Sequence, residues 1–347
     1  MTGRERVRAA LTFSSPDRAP RDIWALPAIT RLRKKEFDAL CRKYPMDIQG
    51  APGTPAAVKS EPDNPSGIGR YTDDWGSMWQ VAELGVVGEV KAPVLADWSR
   101  LAGFRPPWHL IQSRSAADVN RVYAGSDRFV VSECTARPFE RLQVLCGTEK
   151  VFLDLAYGTR ELLKLLEIVH DYYLKDIEWW CRTDVDAVTT MDDWGTNKAL
   201  LISPATWRAV FKPLYRDYCR MIHRAGKFAF FHTDGHTAAI YGDLIEVGMD
   251  AINSQLFCMD IEELARRYKG QVTFWGEIDR QHVLPFGTPA EVRQAVMRVR
   301  RALDDGRGGV IAQCEWGKNN PRRNIDALYK AWLEPGPPRS GTQNRKS

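Results

Sequence analysis

From about residue 127 onward, two patterns of hydrophobic and polar positions alternate along the chain. Short β-rich runs alternate with longer amphipathic segments whose apolar residues recur at helical spacing. The predicted strands are RFVVSE, DAVTTM, KFAFFH, DAINS, QVTFWGE and GGVIAQC, and the predicted helices between them include PFERLQVLCG, RELLKLLEIVHDYYLKDIEWWCR, PATWRAVFKPLYRDYCRMIHRAG, AIYGDLIEVG, IEELARRYKG and PAEVRQAVMRVRRALDDG. This succession predicts a parallel sheet covered by helices.

Two α/β architectures satisfy that pattern, an open doubly wound sheet and a (β/α)8 barrel. No GxGxxG or GxxxxGK[ST] motif follows a predicted strand, so the usual phosphate loop of a nucleotide-binding open sheet is missing. RDIWAL and MDIQG bring the predicted strands to about eight. We therefore expect a single (β/α)8 TIM barrel over residues 1–334.

The remaining segments are expected to extend this barrel. TGRERVRAAL predicts an N-terminal helix capped by Thr2. Residues of about 50–126 combine Pro/Gly-rich stretches with short β-like pieces and predict loops and a β-hairpin flap. The polar Pro/Gly/Ser-rich tail, 335–347, is expected to be disordered.

The composition of the chain excludes several classes of protein. The 347 residues are 44% hydrophobic and 27% charged, as in ordinary globular proteins. The chain has a net charge of +5, but it shows no cluster of basic residues interleaved with aromatic ones. We therefore do not expect a nucleic-acid binder. There is no apolar run long enough to span a membrane and no secretory signal, so we expect a cytoplasmic chain. Seven cysteines without CxxC spacing predict reduced thiols.

Polar residues with ligand-forming side chains recur where predicted strands end, the position of catalytic groups in barrels. They are Glu133, Asp192, Asp193, His232, Asn253, Glu277 and Cys314. His232 and Asp234 are two residues apart and project to the same side of an extended chain. One imidazole, carboxylates and a thiolate suit zinc better than magnesium or calcium, so His232, Glu277 and Cys314 are candidate zinc ligands. Alternatively, His232 ends an ordinary loop and Cys314 is a small core residue.

Other residues are candidates for contact with a substrate. Twelve tryptophans are an unusually large number, and several lie in predicted loops at the active face. Trp75, Trp194, Trp275 and Trp316, with Asn253, predict a wall for an apolar or planar ligand. The alternative is that these tryptophans cover hydrophobic surface.

Six segments together resemble the uroporphyrinogen decarboxylase superfamily over residues 3–333. They are RERVRAALTFSSPDRAP, DDWGSMW, LISPATWRAVFKP, FHTDGHTAAIYGDLIEVGMDAIN, WGEIDRQHVLPFGTPAEVRQAV and GGVIAQCEWGKNNPRRNIDALYKAW. The resemblance implies a single (β/α)8 barrel with its site at the C-terminal face. Porphyrinogen decarboxylases carry an RQAGR-type motif near the amino terminus, where this chain has RDIWALPAITRLRKKEF.

The resemblance favours the corrinoid-dependent methyltransferases, zinc enzymes with an HxC pair and a distant cysteine. His232 and Cys314 match two of these positions, and Asp234 stands where the second thiolate would be. The resemblance therefore implies a zinc-dependent methyltransferase that moves a methyl group between a small substrate and a corrinoid protein. A methoxylated aromatic is one candidate substrate, which would make the reaction an O-demethylation.

In this hypothesis Asp234 ligates the zinc, orients a group or supplies a proton, and Asp193 and Glu133 fix the substrate. The partners are a small methyl donor and a corrinoid protein, and a homodimer is one open arrangement. The alternatives are a decarboxylase of a different cyclic carboxylate, with the basic residues of 18–35 binding its carboxylates, and a non-catalytic scaffold.

Overall fold

The computed structural model describes residues 1–54, 68–83 and 88–335. Its strands are β1 Trp24–Ala25, β2 Ile48–Gly50, β3 Gly69–Thr72, β4 Met78–Val81, β5 Glu89–Ala92, β6 Phe129–Cys134, β7 Ala187–Met191, β8 Phe228–Thr233, β9 Ala251–Ser254, β10 Thr273–Trp275, β11 Val310–Ile311 and β12 Glu315–Trp316. Its α-helices are α1 Gly3–Leu11, α2 Pro27–Leu32, α3 Lys34–Lys43, α4 His109–Gln112, α5 Ala116–Ala124, α6 Pro138–Cys146, α7 Thr148–Tyr157, α8 Arg160–Cys181, α9 Pro204–Val210, α10 Lys212–Arg224, α11 Tyr241–Val247, α12 Ile261–Tyr268, α13 Val283–Phe286, α14 Pro289–Leu303 and α15 Arg322–Leu333. Every segment predicted as a barrel strand contains a strand of the structure.

Local sequence signals explain where several helices begin. Thr2 caps α1, as predicted, and forms a reciprocal capping box with Glu5. The same device, Thr288 with Glu291, begins α14. The segment predicted as one helix from Pro204 to Gly226 is two helices, because Pro213 lacks the N–H that a continuous helix would need and instead falls in the first turn of α10.

The described residues form two compact units. The first comprises Met1–Gln49, Asp127–Phe129 and the described residues from Asp250 onward. In it β9, β10 and β11 pair in parallel, with Phe274 of β10 opposite Ile252 on one side and Val310 on the other. A second parallel pair joins β1 to β12.

The second unit comprises Gly50–Ser126 and Val130–Met249. Strands β6, β7 and β8 pair in parallel, and the β7–β8 register runs from Ala187 opposite Phe228 to Met191 opposite His232. Almost every side chain of β7 and β8 is buried, as in a parallel sheet covered on both faces. This register brings the carboxyl ends of β7 and β8 to the same edge.

The predicted flap contains a three-stranded antiparallel sheet in the order β3, β4, β5. Arg70 lies opposite Gln80, and Met78 lies opposite Ala92. Residues 55–67 and 84–87 of the predicted flap and loops lie outside the described residues, as does the predicted tail after Pro335. Among the described helices, none is both long enough and apolar enough to cross a lipid bilayer.

Candidate metal centre

Three predicted site residues meet where β7 and β8 end. Asp193, His232 and Asp234 each offer a ligand atom, and these atoms all lie within 4.8 Å of one another. His232 Nε2 lies 3.7 Å from Asp193 Oδ1 and 3.6 Å from Asp234 Oδ1. The His232 side chain is 6% exposed, whereas those of Asp193 and Asp234 are 38% and 27% exposed. The group therefore has a buried imidazole beneath two accessible carboxylates.

Backbone contacts between the two loops hold this group in place. The Asp192 N–H donates to the His232 carbonyl at 3.1 Å, and the Gly195 N–H donates to the Asp234 carbonyl at 3.1 Å. The Asp234 N–H donates to Asp193 Oδ1 at 2.9 Å. Gly235 has φ +81°, and a Cβ there would stand 2.1 Å from the Gly195 carbonyl oxygen. The loops can approach this closely only because both positions are glycine.

The donor spacing fits a metal ion. Two N or O donors at about 2.1 Å from a tetrahedral zinc are separated by about 3.4 Å, close to the distances that separate His232 from each carboxylate. Those distances are too long for direct hydrogen bonds. An imidazole with two carboxylates is also a donor set that zinc accepts. The geometry thus suits one cation shared by three side chains.

Asp192, the neighbour of Asp193, has a different role. Its buried carboxylate accepts the backbone N–H groups of Phe139 and Glu140, at 2.9 and 2.8 Å, and the Tyr215 hydroxyl, at 2.6 Å. It thereby caps the N-terminus of α6, which carries no other side-chain cap. Burial, with the nearby Glu140 carboxyl, raises the pKa of Asp192. Asp192 therefore fixes the first turn of α6 against the end of β7.

The start of α6 places two further ionisable groups, Arg137 and Glu140, close to the candidate metal ligands. Burial raises the pKa of Glu140, with Arg137 and His232 opposing the shift and Asp193 adding to it. Glu140 Oε2 is buried and accepts no hydrogen bond from the described residues. Arg137 interacts electrostatically with Glu140 and Asp192.

Glu133, predicted to fix the substrate, lies at the end of β6 in another set of contacts. Its Oε2 accepts the Thr54 N–H at 3.1 Å and lies 3.9 Å from Arg114. Arg114 forms a short ion pair with buried Asp176. These contacts connect Glu133 to its own unit, and its catalytic role stays a prediction.

Glu277 and Cys314, the other predicted zinc ligands, belong to the first unit. Glu277 is buried, and its Oε1 lies 3.6 Å from Arg280, which also contacts Glu315 at 2.9 Å. Cys314 is fully buried with its Sγ 3.7 Å from the Tyr329 hydroxyl. Burial raises the pKa of this thiol to about 12, and the charge of Glu277 adds to the effect. Their place in a zinc site stays a prediction.

The predicted substrate-binding residues are all buried. Trp75 packs edge-on against Tyr172, with ring centroids 4.7 Å apart. Trp194 stacks on Phe139 at 4.3 Å and donates to the Tyr215 hydroxyl. Each of the two tryptophans thus packs within its own group of aromatic side chains.

In the first unit, Trp275 donates to Asp22 and its carbonyl accepts from the Asn253 side chain. Trp316 donates to the Asn320 carbonyl. The indole N–H groups of Trp194, Trp275 and Trp316 are directed at protein acceptors. Contact of the predicted residues with a substrate stays a prediction.

Comparison with known proteins identifies the family. The model of the family described as uroporphyrinogen decarboxylase (URO-D) matches residues 125–333, more than half of the chain. The chain belongs to this family. The candidate metal ligands of the second unit lie within the region that matches the URO-D model. None of the curated proteins compared with the chain matches it in sequence.

Solved structures show the fold of this URO-D family member. A methyltransferase from Methanosarcina mazei aligns with a TM-score of 0.71 and 15% identity, over 96% of this chain and 98% of that chain. An endo-beta-1,4-xylanase from Gloeophyllum trabeum gives a TM-score of 0.47 at 10% identity, over 95% of this chain and 99% of that chain. With the first likeness, the alternating parallel strands and helices confirm the predicted TIM-barrel-like α/β fold.

Sequence reasoning missed the first turn of α6 in this URO-D chain. PFER reads as an ordinary helix start, with proline and an acidic residue in the first turn. The only hint was position, because Arg137 and Glu140 closely follow a strand end. Recognising them required the contacts that Asp192 makes.

Proposed function

We propose that this chain is a zinc-dependent methyltransferase that moves a methyl group between a small substrate and a corrinoid protein. The observation that supports the proposal is the convergence of Asp193, His232 and Asp234 at donor spacings that suit one metal ion. Membership of the URO-D family and the fold shared with a methyltransferase support it further. The candidate substrate is a methoxylated aromatic, demethylated at oxygen.

In this proposal His232, Asp193 and Asp234 hold the zinc, and the ligand roles of Glu277 and Cys314 stay expectations from the family resemblance. When bound, zinc supplies a Lewis acid that makes an ether oxygen a better leaving group. The chain's own groups maintain the geometry. The Asp234 N–H fixes one Asp193 oxygen at 2.9 Å, so the Asp193 carboxylate is oriented by the neighbouring loop.

The corrinoid is proposed to arrive on another protein. The sequence contains no DxHxxG cobalamin-binding pattern. Cleavage of an O–CH3 bond near neutral pH needs a nucleophile stronger than any side chain, and reduced cobalt is one. Overall, the methyl group leaves the ether oxygen for Co(I), giving methyl-Co(III) and an alkoxide or phenoxide that takes up a proton.

A decarboxylase remains the second candidate, because the matching family model bears that description. Two of the basic residues expected to bind substrate carboxylates are engaged within the chain. Arg18 pairs with Asp47 at 2.7 Å, and Arg33 pairs with Glu36 at 2.8 Å. These pairs favour the methyltransferase over the decarboxylase.

Metal analysis with a methylation assay tests the proposal. Purified protein should contain about one zinc per chain, and His232→Ala or Asp234→Ala should remove most of it. His170→Ala is the matched control, because this histidine lies in α8 and hydrogen-bonds Tyr218 at 3.0 Å. Cys314→Ala tests the ligand that the resemblance implies.

Methyl transfer is followed by the absorbance of methyl-Co(III) when the protein is mixed with reduced corrinoid protein and methyl ethers. Metal that survives in the His232 and Asp234 variants would contradict the ligand assignment. Absence of methyl transfer, together with CO2 release from a cyclic carboxylate, would replace the methyltransferase with the decarboxylase.

A further inference from the structure

Arg137 directly precedes α6 and lies close to the candidate metal centre. Two residues later, Phe139 donates its N–H to Asp192, whose own N–H donates to the His232 carbonyl. Arg137 and His232 both act electrostatically on the same Glu140 carboxyl. A partly buried cation is therefore placed on the loop that borders the proposed reaction site.

Arg137 differs from other arginines of its unit. Arg114 pairs with Asp176, and Arg208 pairs with Asp243 at 2.9 Å. Arg141 lies 4.4 Å over the Trp75 ring and 3.9 Å from Asp73. Within the described residues, the Arg137 guanidinium makes no hydrogen bond and no ion pair.

Glu140 is the main anionic neighbour of Arg137, and it acts on the guanidinium without direct contact. No ion pair joins the two side chains among the described residues, and the buried Oε2 of Glu140 accepts no hydrogen bond there. Burial opposes the charge of Arg137, but the neighbouring groups, Glu140 foremost, outweigh it and raise the pKa of Arg137. The guanidinium is thus charged and partly buried, and no anion of the described residues lies at ion-pair distance from it.

We propose that Arg137 binds an anionic group of the substrate, so that the small methyl donor is a carboxylate. The proposal rests on the proposed function and deepens it. A guanidinium presents two parallel N–H donors to a carboxylate, which gives both attraction and a fixed orientation. Such an ion pair would satisfy Arg137 and hold the substrate beside the metal-binding side chains.

Binding measurements with a matched pair of compounds test this assignment. 3-Methoxybenzoate and 3-methoxybenzyl alcohol share the ring and the methoxy group and differ in charge. Isothermal titration should give the benzoate at least about tenfold tighter binding to the wild type, the scale of hydrogen bonds to a charged partner. Arg137→Gln should abolish that preference, and Arg137→Lys should keep part of it.

Arg160→Gln serves as the control, since it removes one positive charge from an exposed position at the start of α8. Its preference for the benzoate should equal that of the wild type. Equal affinity of the wild type for both compounds, binding of neither at millimolar concentration, or a preference that survives in Arg137→Gln would overturn the proposal. The binding measurement contains no corrinoid, so its result does not depend on whether the methylation assay succeeds.

Discussion

Replacement of Gly235 by alanine should disturb the metal centre through the backbone. The glycine has φ +81°, and an added Cβ would lie 2.1 Å from the Gly195 carbonyl oxygen and 2.2 Å from its carbonyl carbon. Real Cβ contacts essentially never fall below 3.0 Å, so the two loops would have to separate by about 1 Å. The atoms that must move are backbone atoms, which cannot rotate away.

The expected cost has two parts. A left-handed backbone with a Cβ costs about 1–2 kcal/mol, and the overpacked contact adds about 1–3 kcal/mol. The free energy of unfolding should therefore fall by about 2–5 kcal/mol. Metal binding should suffer as well, because Asp234 precedes Gly235 and Asp193 lies two residues before Gly195. A shift of about 1 Å exceeds the tolerance of about 0.5 Å for a preorganised site.

Gly226→Ala provides the matched control. This glycine also has a positive φ, +71°, but nothing lies within 4 Å of an added Cβ. It should lose only the conformational part, about 1–2 kcal/mol, and retain its zinc. Urea unfolding and metal content of both variants decide the outcome. If Gly235→Ala keeps full zinc and unfolds like Gly226→Ala, the close approach of the two loops does not support the site.

Two further predictions concern buried carboxyl groups. Burial raises the pKa of Asp22 to about 6 from its usual 3.8, so the stability it contributes is complete below about pH 4 and is lost as the pH rises through 6. Asparagine at position 22 can still accept the Trp275 N–H. The free energy of unfolding of Asp22→Asn should therefore exceed that of the wild type by about 3 kcal/mol at about pH 8 and differ little from it at about pH 4. Urea melts at both pH values measure this, and an equal effect at both would contradict it. Asp192→Ala leaves two backbone N–H groups and the Tyr215 hydroxyl without their acceptor, so it should lower the free energy of unfolding by about 3–5 kcal/mol. An unfolding midpoint equal to that of the wild type would show that water replaces the carboxylate.

Much of the fold follows from local patterns in the sequence. The buried runs of β7 and β8 are rich in β-branched and aromatic residues, and Thr2 marks the start of α1 before any contact is known. The split of one predicted helix at Phe211 shows the limit of periodicity. Its amphipathic spacing continues across the break, and the missing N–H of Pro213 overrides it.

Local sequence patterns predict only part of the candidate site. The sequence places Asp193, His232 and Asp234 at strand ends, but their meeting depends on the β7–β8 register and on the paired glycines. The tryptophans illustrate the opposite difficulty. Loop position suggested a ligand-binding wall that includes Trp194, whereas the structure buries Trp194 in a stack on Phe139 with a hydrogen bond to Tyr215. Burial of a loop residue depends on distant segments that no local window contains.

The replacement of a thiolate by Asp234 bears on which chemistry the proposed site favours. A carboxylate donates less charge to a metal than a thiolate does, so a site built on Asp193 and Asp234 leaves the bound cation more electrophilic. Activation of a thiol acceptor benefits from electron-rich ligands, whereas departure of an ether oxygen benefits from a stronger Lewis acid. The two accessible carboxylates above buried His232 therefore favour, within the proposed function, removal of a methyl group from oxygen over its delivery to sulfur.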